Sequence, residues 1–147
     1  MLDERLIAKL RHDESAIFGN GADDIEIARA EELLELSFPA SYRQFLQQFG
    51  WGGVGDLEIF GLGADVPPFL NVVYLTKSER TEAQPPLQKT LLPICNDGFG
   101  NLFCIDTTEW RPNKPVVFWN HEELPDQEAE EVAEDFGVWL QERIISS

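Results

Sequence analysis

Residues 30–53 read Ala30-Glu31-Glu32-Leu33-Leu34-Glu35-Leu36-Ser37-Phe38-Pro39-Ala40-Ser41-Tyr42-Arg43-Gln44-Phe45-Leu46-Gln47-Gln48-Phe49-Gly50-Trp51-Gly52-Gly53. The stretch begins as an acidic helix and breaks at Phe38-Pro39. A second helix follows, in which Tyr42, Phe45, Leu46 and Phe49 fall at i, i+3, i+4 and i+7, the spacing of one buried face. The glycines from Gly50 end it. Proline disfavours a helical Phe38 but can open the next helix, so the spacing predicts a bent helix pair with a shared apolar seam.

Upstream, Leu2, Leu6, Ile7 and Leu10 share a face and predict a short helix, followed by a polar loop through Gly19-Asn20-Gly21. Asp23 or Asp24 can cap the acidic helix by accepting a hydrogen bond from an otherwise unpaired backbone N–H. Downstream the period changes. Leu57-Glu58-Ile59-Phe60 reads as a short strand. Leu70 to Leu75 carries the β-branched content of a strand, yet Leu70, Val73 and Tyr74 also suit a helix. Leu91 to Cys95 and Leu102 to Asp106 flank Asn96-Asp97-Gly98-Phe99-Gly100-Asn101, whose Asp-Gly pair fits a hairpin turn. Pro115 to Trp119 reads as a further strand, and links this short favour an antiparallel sheet. A last helix is predicted from about Asp126 to Ile145, with Val132, Phe136, Trp139, Leu140 and Ile144 as its stripe.

The totals bound what such a chain can be. Its 147 residues, 43% hydrophobic with ten Phe and four Trp, supply one core and one domain, residues 1–147. Eleven Lys plus Arg against 27 Asp plus Glu give a formal charge of −16. A direct grip on nucleic-acid phosphates needs a positive surface and is excluded; a basic partner is readily attracted. The N-terminus lacks a secretory signal and no stretch is long and apolar enough for a bilayer, so a cytoplasmic protein without membrane contact is expected. Cys95 and Cys104 then read as buried thiols, and the sequence leaves open whether they face each other across the hairpin.

The helical Glu31 eight residues before Pro39, the run Pro-x-x-Tyr-x-x-Phe-Leu at Pro39, Tyr42, Phe45 and Leu46, and the Gly-rich exit resemble the signature of the SUKH superfamily. These are bacterial immunity proteins whose fungal relatives regulate cell-wall glucan synthesis. Leu92-Pro93-Ile94, the turn Asp97 to Asn101 and Cys104-Ile105-Asp106 look like the family's central hairpin. Pro115 to Phe118 and the helix with Phe136, Trp139 and Leu140 follow in order, so the resemblance spans about Ile27 to Leu140. Two positions depart from it: Glu35, where the family often has a glycine, and Trp51, where an Asn-Gly exit is more usual. The resemblance implies a helix over residues 70–80. It also implies an α+β domain with N-terminal helices, an antiparallel sheet of about four to six strands, and a C-terminal helix packed on the sheet.

Catalytic and metal chemistry find no constellation in the sequence. His12 and His121 are far apart and lack neighbouring ligands at zinc spacing. Gly50 to Gly55 satisfies G-x-G-x-x-G, but follows a helix where a dinucleotide fingerprint must follow a strand. Asp97 to Asn101 lacks the full calcium-loop pattern. No cofactor and no metal are expected. The resemblance implies a non-enzymatic immunity protein that binds a cognate polymorphic toxin and occludes its active surface. The alternative is a regulatory protein-binding scaffold without a toxin. Many such toxins are nucleases with basic substrate surfaces, which the charge of this chain independently favours. Glu122 to Asp135 holds eight acids and no Lys or Arg, so Glu122, Glu123 and Asp126 are candidate partner-binding residues, with Asp56 and Asp97 on neighbouring turns. Trp51 and Trp110, at predicted element ends, are candidate apolar anchors; Trp119 reads as core.

Overall fold

The computed structural model describes residues 2–108 and 113–146. Helix α1 (Glu4–His12) is capped by Asp3, whose carboxylate accepts from the Arg5 N–H. A short strand β1 (Ala16–Phe18) follows, then α2 (Asp24–Leu34) and α3 (Ala40–Gln48). Asp23 caps α2 by accepting from the Glu26 N–H at 2.8 Å. Between α2 and α3, Pro39 stands as the N-cap of α3. The Glu31 carboxylate spans the break: it accepts from the Phe38 N–H at 2.7 Å and pairs with both of its oxygens to the Arg43 guanidinium. Tyr42, Phe45, Leu46 and Phe49 are fully buried, as the spacing predicts. The Tyr42 hydroxyl donates to the Phe60 carbonyl at 2.7 Å, tying α3 to the sheet.

After α3 come β2 (Gly52–Val54), β3 (Leu57–Ile59), a 3-10 turn at Pro68–Leu70, and α4 (Val72–Thr81). The stretch that suited either strand or helix is therefore helical. Asn71 decides its start by accepting from the Val73 and Tyr74 N–H groups, and the Thr76 hydroxyl is satisfied inside the helix by the Val72 carbonyl. The chain continues through β4 (Leu91–Asn96), β5 (Leu102–Asp106), β6 (Val116–Trp119), β7 (Glu130–Ala133) and α5 (Phe136–Ser146). The seven strands form one antiparallel sheet in sequential order β1 to β7. Strands β4, β5 and β6 are buried on both faces. Phe103 meets Trp139 of α5 on one face, and Phe136 of α5 packs on Tyr42 and Phe45 of α3. Helix α4 packs against β4, beside α2.

Two sequence expectations are corrected. The sheet has seven strands rather than four to six: β7 lies in the segment read as helix, and two more, β1 and β2, lie in segments read as loop. Each of these two is only three residues long, too short for a periodic signal, and β2 is largely glycine. The helix expected from Asp126 begins only at Phe136. Residues 130–133 instead pair with β6, Val116 opposite Ala133 and Phe118 opposite Glu130, and Asp135 caps α5 by accepting from the Val138 N–H at 2.9 Å. Val132 fits the helical stripe by spacing, but the unpaired edge of β6 captures its segment. The cysteines do not face each other: Cys104 lies opposite Pro93 and Cys95 opposite Phe103, and both are free thiols.

Candidate partner-binding surface

In an antiparallel sheet with sequential order, every second connection lies at the same end. The β2–β3, β4–β5 and β6–β7 connections thus share one end of this sheet. They carry Asp56, Asp97, and Glu122, Glu123 and Asp126 respectively. Strand spacing puts the first and last of these turns about 20 Å apart, a span that one protein partner covers. The structure therefore brings five of the seven sequence candidates to one acidic end.

The β4–β5 turn is built around Asp97. One of its oxygens accepts from the Phe99 N–H at 2.8 Å and the Asn101 N–H at 3.1 Å, and the other from the Asn101 side-chain amide at 2.9 Å. Gly98 and Gly100 take φ of 88° and 93°, the left-handed conformation this tight turn needs. Partial burial alone would raise the Asp97 pKa. The hydrogen bonds from the Asn101 side chain and the Phe99 and Asn101 backbone outweigh it and hold the carboxyl below its ordinary value. Because its amide nitrogen faces Asp97, Asn101 presents its oxygen to the β6–β7 connection, where it accepts from the His121 N–H at 3.1 Å and lies 2.7 Å from His121 Nδ1. That oxygen only accepts, so Nδ1 carries the proton and Nε2 points away, 3.9 Å from the Glu122 carboxylate. Asp97, Asn101, His121 and Glu122 thus join the two turns.

The β6–β7 connection is braced in the same way. The Gln127 side chain donates to the Asn120 carbonyl and accepts from the Asn120 N–H, and Gln88 donates to the Pro125 and Gln127 carbonyls. This scaffold holds Glu122, Glu123 and Asp126 exposed. Between the acids stand two apolar side chains that the sequence reading missed, Phe99 at 82% and Leu124 at 70% exposure. A lone Phe in a Gly-rich turn and a lone Leu before Pro125 have no periodic pattern to mark them. Asp56 and Asp97 also line a shared cleft of about 280 Å³ with Leu57 and Phe103, over which the Arg143 guanidinium stacks at 4.2 Å.

Trp51 lies elsewhere. It immediately precedes β2, at the end of that strand opposite the Asp56 turn, and is half-buried with its Nε1–H donating to Asp65 at 3.0 Å. Trp110 lies outside the described residues. Trp119 is in the core, 2% exposed.

Among the described residues no three His, Cys, Asp or Glu side chains converge as metal donors, and no helix is long and apolar enough to cross a membrane. Burial pushes the Cys95 thiol up to about 12 and Cys104 well above its ordinary value, so neither is a ready thiolate. The G-x-G-x-x-G match runs from the end of α3 into β2, with no helix N-terminus to receive a phosphate.

A solved structure titled "Crystal structure of protein from Pseudomonas syringae pv. tomato" is similar in fold, with a TM-score of 0.74 at 20% identity over 99% of this chain and 100% of that one. The family profile SUKH_5, described as SMI1-KNR4 cell-wall, matches residues 4–145. With that match over nearly its whole length, the chain belongs to the SUKH family of SMI1-KNR4 cell-wall proteins.

Proposed function

We propose that this protein is a non-enzymatic immunity protein that binds a cognate bacterial toxin in the cytoplasm and covers its active surface, the toxin being a basic nuclease. Family membership suggests a protein-binding, immunity-type role. The observation that carries the finer reading is the gathering of Asp56, Asp97, Glu122, Glu123 and Asp126 at one end of the sheet, around the exposed Phe99 and Leu124. Fixed carboxylates opposite a cationic substrate groove speed encounter and set orientation, and the apolar side chains between them supply contact area.

The test is binding kinetics against the toxin encoded beside this gene, with cell survival measured in parallel. Reversing Glu122, Glu123 and Asp126 to Lys should slow association at least tenfold and weaken protection while leaving the melting curve unchanged, since exposed charges contribute little to stability. Added salt should slow wild-type association in the same direction, as the Debye length shrinks below about 8 Å. Unchanged association and full protection by the triple variant would remove the acidic end from the interface. Absence of any binding to that toxin would favour the scaffold reading.

A further inference from the structure

Ile17, Gly53 and Glu58 form one cross-strand row over β1, β2 and β3 on a single face of the sheet, and its middle place has no side chain. The backbone requires the glycine there, because a Cβ would overlap the Leu57 carbonyl oxygen. The consequence is an open groove of about 300 Å³ walled by Ile17, Trp51, Leu57, Pro67 and Phe69. Ile17 is 70% and Phe69 65% exposed, so two large apolar side chains that line the groove stand unburied. A third lining side chain is already ordered: Trp51 is held by its hydrogen bond to Asp65 and lies against Gly19. A groove so preformed loses little conformational freedom on binding.

Charge indicates what fills it. Glu58 lines the groove, Asp56 lies in the adjoining turn and Asp65 backs Trp51; among the described residues none that lines it is basic. Gly55, beside Asp56 in the β2–β3 turn, also lines the groove, so the groove reaches the acidic end of the sheet.

We propose that this groove seats an amphipathic cationic segment of the protein partner. One bulky apolar side chain rests over Gly53 between Ile17 and Phe69, and a flanking Lys or Arg faces Glu58 and Asp56. The proposal rests on the basic-partner reading and divides its labour: the acidic end sets the association rate, while the groove, where apolar surface leaves water, sets the dissociation rate.

The probe is the peptide acetyl-Lys-Phe-Leu-Lys-amide, titrated into the full-length protein and followed by NMR at the Trp51 indole N–H and the Gly52 and Gly53 amides. Saturable shifts at these positions are expected, with at least tenfold weaker binding to an Ile17→Ser, Phe69→Ser double variant; both side chains are exposed, so its spectrum elsewhere should stay native. Acetyl-Glu-Phe-Leu-Glu-amide and acetyl-Lys-Ser-Ser-Lys-amide should leave the three signals in place. No saturable shift with the first peptide, equal shifts with either control, or undiminished binding to a natively folded double variant would overturn the proposal. The free peptide separates this failure from that of the toxin reading. If the neighbouring toxin binds at a salt-sensitive rate but leaves the double variant no faster than wild type, the groove is rejected and the acidic end stands.

Discussion

Glu35 is the only non-glycine among the described residues with positive φ, at 56°. It ends α2 in the left-handed conformation, with its N–H donating to the Glu31 and Glu32 carbonyls. A side chain in that conformation costs about 1 kcal/mol or more relative to glycine. The departure at Glu35 therefore has a physical content: the fold asks here for a residue without a Cβ. Glu35→Gly should stabilise the protein by about 0.5–1 kcal/mol in denaturant melts. Glu35 also attracts Arg80, but it is exposed, and a screened attraction at the surface is smaller than the backbone relief. A fall in midpoint would mean that the attraction wins. Glu31 has the opposite standing, since its carboxylate joins the Phe38 N–H and Arg43 across the helix break and is thereby a fold determinant.

At the scale of elements, the acidic end depends on two turns acting as one. Asn101 stands between Asp97 and His121 in that chain of hydrogen bonds, donating to the first and accepting from the second. Asn101→Ala should cost about 1–3 kcal/mol, because it leaves half-buried partners without their bonds. It should also speed amide exchange at Asn101 and His121 together, whereas exchange in β5 beyond the turn stays slow. Faster exchange in the β4–β5 turn alone would show that the β6–β7 connection is held by Gln127 and Gln88 without help from Asn101. The same element view explains β7: an acidic four-residue segment becomes a strand because β6 offers it a ladder, and its exposed glutamates on the sheet edge discourage pairing with another chain.

For the whole molecule, the charge of −16 opposes compaction through self-repulsion, and two of the carboxyls with shifted pKa, Glu79 and Asp97, respond to pH with opposite sign. Burial raises the Glu79 pKa, with attraction to His121 acting against it. Its contribution to stability is fully present below its unfolded value, near 4.5, and is lost as pH rises through the higher folded value. Asp97 is lowered, so its contribution is present above its unfolded value, near 3.8, and is lost as pH falls through the lower folded value. Glu79→Gln should therefore raise the melting temperature at pH 7 and give no gain near pH 3. Asp97→Asn should lower it at pH 7, with the difference shrinking in acid. Melting curves of both variants from pH 3 to pH 8 check the pair, and parallel rather than opposite trends would contradict the assignments.

The sequence by itself determined the helix pair around Pro39, the β4–β5 hairpin, the buried aromatic face of α3 and the acidic balance. Each is written in local spacing: Tyr42, Phe45 and Phe49 repeat with the helical period, Asp97-Gly98 supplies a turn, and charge is a sum over residues. Tertiary structure decided what has no local signature. β1 and β2 exist because three-residue segments find partners, and residues 130–133 leave a helical pattern because the β6 edge binds them. It also decided the surface. Asp56, Asp97 and Glu122 are up to 66 positions apart in the chain, and only the alternation of an antiparallel sheet brings them to one end, with Trp51 left just before β2, at the other end of that strand. The groove beside Ile17 arises likewise from a missing side chain at Gly53, which acquires meaning only when β1 and β3 stand on either side of it.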